Sequence, residues 1–107
     1  MILIVVKFPV RPERVEAWLD LTAEFTRDVR AEEGNLFFEW SRSVEQPDTF
    51  VLVEGFASQA AGEAHVATAH FQKAIAWMGA EVTAKPAIIY TEVAQEGWNE
   101  MGEVTPR

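Results

Sequence analysis

The sequence predicts an α+β domain with the element order β-α-β-β-α-β, in which one antiparallel sheet carries its helices on a single face. Three patterns lead there. The opening run ILIVVKF is rich in β-branched and aromatic residues and reads as a strand. From Pro12 onward apolar residues recur every three or four positions, the period of a helix face. Further on, NLFFEWSRS and TFVLVEGF flank VEQPD, whose Pro47 and Asp48 are turn formers, so the two runs make an antiparallel hairpin.

Residues 2–8 are apolar at alternating and intervening positions alike, which predicts a strand covered on both sides, and Pro9 ends it. Pro12 suits the first turn of a helix. Val15, Trp18, Thr22, Phe25 and Val29 then line one face, with Trp18 and Phe25 as core residues, while Glu16, Asp20, Glu24, Arg27 and Asp28 fall largely opposite. One long helix is expected, stopped by Gly34. In the second strand of the hairpin Phe50, Leu52, Glu54 and Phe56 share one face and Val51, Val53 and Gly55 the other. Ser58 suits the N-cap of a helix opening QAAGEAHV, and Thr68 that of a second segment, AHFQKAIAWM. These segments hold both histidines, His65 and His70. On one unbroken helix the pair would sit about 140° apart. A break near Thr68 lets both face one cavity. Residues 86–93, PAIIYTEV, supply the last strand, with Tyr90 in it. The domain therefore spans 1–93, and the aperiodic tail 94–107 is expected to be an arm on a partner or disordered. The order is the split βαβ of ferredoxin-like folds.

A chain of 107 residues supports one core. Its composition, 49% hydrophobic with four Trp and seven Phe, exceeds what one two-layer core easily hides. Helices from one chain cover only one face of the sheet, so the partner expected for the other face is a second copy, giving a homodimer. A net charge of -8, with nine scattered Lys and Arg, argues against nucleic acid as a partner. The absence of cysteine excludes disulfides, thiolate catalysis and iron-sulfur clusters and fits a cytoplasmic location. The N-terminal apolar run is too short for a membrane span and lacks the charged start and cleavage site of a signal peptide, so no membrane partner is expected.

Three strings carry a resemblance to a known family. Glu32, Gly34, Asn35 and Phe38 form an E-x-G-N-x-x-F segment opening the second strand. Val53, Glu54 and Phe56 form V-E-x-F, and Ala61, Ala64, His65, Thr68, His70 and Phe71 form A-x-x-A-H-x-x-T-x-H-F. With this topology the chain resembles the antibiotic biosynthesis monooxygenase family over residues 2–93. The resemblance implies a homodimer whose sheets pack face to face as a dimeric α+β barrel, with a pocket in each subunit between helices and sheet. It also points to cofactor-free quinol monooxygenases, so the expected chemistry is oxygenation of a quinol or polyketide-like aromatic by O2, without cofactor or metal. Haem-degrading relatives need an axial histidine where this chain has Ala74, Ile75 and Ala76. Isomerases of phosphorylated signalling sugars would need basic residues, of which only Lys73, Lys85 and scattered Arg residues are at hand.

For such chemistry a base must take the hydroxyl proton and an apolar pocket must exclude water. His65 is the leading base, His70 a second base or hydrogen-bond donor, and Glu54 an orienter of an imidazole. Phe38, Trp40, Phe56, Phe71, Trp77 and Tyr90 are candidate walls for a flat ring, and Asn35 a polar contact. Each has a structural reading beside it: histidines held by backbone carbonyls, Glu54 paired with Arg42 or capping the helix near Ser58, aromatics in the core or at an interface, Asn35 as a turn residue. Two histidines five apart with Glu63 nearby match no standard metal-ligand spacing. Competing with oxygenation are a non-catalytic binder of a small hydrophobic metabolite and an accessory domain with a filled core.

Overall fold

Alternation in the first strand sets the two sides of the sheet. In the computed structural model, which describes residues 1–107, β1 (Ile2–Pro9) buries Ile2, Ile4, Val6 and Phe8 against the helices. Leu3 and Val5 are only half-buried on the opposite face and Lys7 is exposed there, so one chain does not cover both sides of this strand. β2 (Asn35–Arg42), β3 (Thr49–Phe56) and β4 (Ala87–Glu92) complete an antiparallel sheet in the order β2-β3-β1-β4. The register aligns Phe38, Glu54, Ile4 and Tyr90 in one row across all four strands. Glu54 thus sits in the middle of the sheet on its helix-facing side.

The expected long helix is broken. Pro12–Ala17 winds as a 3₁₀ segment, followed by α1 (Trp18–Leu21) and α2 (Ala23–Arg30). The hydroxyl of Thr22 donates back to the carbonyls of Trp18 (3.0 Å) and Leu19 (3.3 Å) at the junction. Such back-bonding competes with the helical ladder and bends the axis. Trp18, Phe25 and Val29 are buried on the core side across this bend. Gly34 does not stop this helix, which ends at Arg30 without a left-handed residue, since Gly97 alone has positive φ.

On the same face of the sheet, α3 (Gln59–Val66) and α4 (Ala69–Met78) are separate helices, each with its own cap, and α4 packs beside α2. The Ser58 hydroxyl accepts from the Ala61 amide (3.1 Å) and the Thr68 hydroxyl from the Phe71 amide (3.2 Å). Residues 94–107 form neither helix nor strand and start back along the outer face of the sheet. Met1 and Val93 exchange two 2.9 Å backbone bonds, and the Trp98 ring lies 5.2 Å from that of Phe37. No helix is long and apolar enough to cross a membrane.

Candidate functional site

The break at Thr68 decides where the histidines point. Thr68 is extended, with ψ of 151°, so α4 leaves at a new angle and His70 turns toward the side of α3 that carries His65. Both rings converge on Glu32, which lies between α2 and β2. His65 Nδ1 is 2.8 Å and His70 Nε2 2.6 Å from the same carboxylate oxygen, Oε2. A carboxylate only accepts, so both nitrogens carry protons toward it. That fixes neutral His65 as the Nδ1–H tautomer and leaves its Nε2 as a free acceptor.

The backbone around Glu32 explains how one residue reaches two helices. Its amide donates to Val29 (3.0 Å) and its carbonyl accepts from Asn35 (3.1 Å), a tight turn between α2 and β2. Gly34 lets this turn lie against α3, because a Cβ there would collide with the Cβ of Ala61. The glycine is needed for close approach and not for a special φ. Gly34→Val is therefore expected to cost about 1–3 kcal/mol of stability, as over-packing does, and to separate Glu32 from His65. Thermal denaturation together with the imidazole proton resonance of His65 checks this; unchanged values of both would refute the contact.

His65 is buried in an aromatic box, with Phe56 at 4.7 Å and Phe71 at 5.1 Å between ring centres. Its Nε2 faces Glu54 Oε1 across 3.7 Å, too far for a direct hydrogen bond. Glu54 is itself buried and Oε1 has no partner. Burial, with the charge of Glu32 adding to it, pushes the Glu54 carboxyl up to about 8. The expected pairing of Glu54 with Arg42 is not made. Arg42 bonds Glu16 (3.1 Å) and the carbonyl of Pro47 at the exposed end of the hairpin. Nor does Glu54 cap α3, whose cap is Ser58.

Glu54 and His65 are the ionisable groups deep in an otherwise apolar cavity of about 260 Å³ between the sheet and α3/α4. Ile4, Val6 and Leu52 form its floor, Phe71 and Met78 its helix side, and Ile75, Ile88 and Tyr90 a more exposed rim. An apolar cavity of about 150 Å³ already binds benzene, so this one has room for one or two fused rings.

The sequence-nominated residues divide in two. His65, Glu54, Phe71 and Tyr90 line the cavity, and Phe56 backs it through the imidazole ring. Asn35, Phe38, Trp40 and Trp77 are not on its wall. Asn35 spans the irregularity at the start of β2, its amide donating to the carbonyls of Phe37 (3.0 Å) and Gly55 (3.2 Å). Phe38 is core, packed edge-on against Phe25. Trp40 donates to the Thr26 hydroxyl (2.9 Å) and, like Trp77, packs on Trp18. The two histidines do not face one cavity, the arrangement expected from a break at Thr68: His70 lies behind His65 and lines a separate, shallow surface cleft with Glu24, Asp28 and Lys73. Glu32, quoted only as a family-pattern residue, is the hub that sequence reasoning missed, and the E-x-G-N segment was its one available signal.

A ferredoxin-like sheet with an apolar cavity under split helices, and a buried imidazole held by a carboxylate at its wall, defines a small α+β protein with a ligand-sized apolar cavity. The chain belongs to the antibiotic biosynthesis monooxygenase family, whose pattern matches residues 1–77. It is 33% identical over 96 residues to a Bacillus subtilis (strain 168) protein named "Putative monooxygenase YcnE", covering 89% of this chain and all of that one. A solved structure from Caulobacter crescentus CB15 superposes with a TM-score of 0.82 at 25% identity, over 88% of this chain and 90% of the other. Rv0793 from Mycobacterium tuberculosis gives 0.81 at 23% identity, over 91% and 98%, a likeness of fold.

Proposed function

We propose that the protein is a cofactor-independent monooxygenase that oxidises a one- or two-ring quinol or related hydroxyaromatic at the cavity under α3 and α4. The observation that carries this reading is the orientation of His65: Glu32 holds its Nδ1–H, and the free Nε2 is turned to the apolar cavity. Substrate enters between Ile75, Ile88 and Tyr90. His65 Nε2 takes the phenolic proton, and the electron-rich anion passes one electron to O2. Superoxide and the substrate radical combine at a ring carbon bearing hydrogen. The resulting peroxide takes the proton back from His65, and loss of water leaves a carbonyl. The balance is one quinol and one O2 to one hydroxyquinone and one water, or, from a monophenol, to one quinone and one water. Apolar walls keep solvent from the anion and the peroxide.

The test is O2 uptake by chelator-treated protein against hydroquinones and naphthalenediols, with product identified by mass. Uptake matched by a hydroxyquinone one oxygen heavier than the simple quinone, without hydrogen peroxide, supports the reading. Saturable binding without uptake would replace it by a ligand-sequestering function.

Assembly as a homodimer belongs to the same proposal. All six residues of β4 are exposed, Ile88 by 62% and Ile89 by 63%, although both are of a type that strands bury. With the half-buried Leu3, Val5 and Val53, Ile89 leaves the outer face apolar. Sedimentation is expected to give a dimer at micromolar concentration, and unfolding is expected to become easier on dilution. A folded monomer with a concentration-independent melting point would refute the dimer.

A further inference from the structure

The polar cluster behind the cavity has a composition that proton abstraction alone does not require. One carboxylate and two imidazoles present their ligand atoms within 4.8 Å of one another. All three are at least three-quarters shielded: side-chain exposure is 4% for His65, 13% for Glu32 and 23% for His70. The spacing in sequence hides the set, because the carboxylate comes from Glu32, 33 residues before His65, and not from Glu63, which accepts from Gln59 on the surface of α3.

We propose that Glu32, His65 and His70 form a three-ligand site for a divalent transition-metal ion of the zinc type, and that the ion silences His65 as a base. Two imidazole nitrogens and one carboxylate oxygen make a borderline-soft donor set, suited to zinc, cobalt or nickel and poorly suited to magnesium or calcium. Three protein ligands leave a fourth position for water. Bonds of about 2.0–2.2 Å place tetrahedral ligands about 3.3 Å apart. The carboxylate-to-nitrogen separations of 2.8 and 2.6 Å therefore need to open by well under an ångström, and the two nitrogens, within 4.8 Å of each other, need to draw together toward the same spacing. The ion enters from the cleft that His70 shares with Glu24 and Asp28.

An outer partner is in place as well. A metal-bound imidazole usually donates its second N–H to a carboxylate or carbonyl. His65 Nε2 faces Glu54 Oε1, which has no other partner, at 3.7 Å. The chemical consequence follows from the two nitrogens of one ring. With Glu32 accepting from Nδ1–H, Nε2 carries the lone pair that faces the cavity. With the ion on Nδ1, a neutral imidazole keeps its single proton on Nε2, and that lone pair is gone. Metal uptake and proton abstraction exclude each other; this part rests on the proposed oxygenase reading, whereas binding itself does not.

The test uses the full chain without an affinity tag, stripped by chelator and titrated with zinc chloride by calorimetry. One ion per chain is expected. Glu32→Gln and His70→Gln are expected to weaken binding at least tenfold, since loss even of outer partners costs about 10–100-fold, and Glu63→Gln is expected to leave it unchanged. Should a variant fail to fold, as circular dichroism would report, the wild-type protein carries the test. In 15N-labelled wild-type protein, zinc is expected to move the Nδ1 resonance of His65 and the Nε2 resonance of His70 and to leave a proton on His65 Nε2. Absence of saturable uptake, or unmoved histidine resonances, would overturn the site and leave the oxygenase reading standing. Where O2 uptake has been found, zinc is expected to abolish it in step with occupancy. Undiminished or increased uptake at full occupancy would overturn the inhibitory role.

Discussion

Trp18→Ala is expected to remove about 3–5 kcal/mol of stability, the range for truncating a buried large aromatic, and thus much of the roughly 5–15 kcal/mol that holds a domain of this kind folded. Trp18 is fully buried, and its ring meets Phe8 (5.5 Å), Trp40 (5.7 Å), Trp77 (6.0 Å) and Phe50 (6.1 Å). Those neighbours come from β1, β2, α4 and β3, so the indole, itself on α1, ties two helices to three strands. Four large rings around the gap cannot all move into it. Trp18→Phe is expected to cost less than the alanine change, because it leaves a smaller cavity and because the indole Nε1 has no acceptor, so its loss breaks no hydrogen bond. Denaturant midpoints at one fixed protomer concentration measure both. Equal effects of Ala and Phe would sink the account, for then the cavity is not what costs stability.

The same indole illustrates what the sequence made readable. The three- and four-residue spacing of Val15, Trp18, Thr22, Phe25 and Val29 gives the buried face of that region correctly, since burial follows hydrophobic period whatever the local helix type. It does not give the bend at Thr22, because a threonine hydroxyl bonding back to Trp18 looks, in sequence, like any polar residue on a helix. The break at Thr68 was legible for the converse reason: an extended residue with a hydroxyl to cap the next helix leaves a mark in the sequence. The site was half legible. His65 and Glu54 stand within recognisable strings, and their separation across 3.7 Å follows from β3 leading straight into α3. Glu32 reaches His65 through tertiary packing over a span of 33 residues, and nothing local marks that contact. The aromatics were ambiguous by nature. Trp40 and Phe71 are chemically similar wall candidates, and only the placement of α1 and α4 sends one to the Trp18 cluster and the other to the cavity.

Replacing His65 with alanine is expected to lower turnover of any oxidised substrate by about 10²–10⁴, the usual contribution of a positioned general base. The loss should fall in kcat, with KM little changed, because the apolar walls that hold the ring remain: Ile4, Val6, Leu52, Phe71 and Met78 do not depend on the imidazole. Glu32→Gln is expected to cost less. An amide oxygen still accepts from Nδ1–H and keeps the tautomer, but the charge that stabilises a developing imidazolium is gone. Glu32→Leu removes both and should approach the alanine variant in rate while retaining the ring. The order wild type, Gln, Leu, Ala distinguishes a carboxylate acting through the imidazole from one acting on substrate. Glu32 is not on the cavity wall. A Glu32→Gln protein slower than His65→Ala would place the essential proton on the carboxylate, and a His65→Ala protein oxidising at the wild-type rate would remove the imidazole from the chemistry altogether.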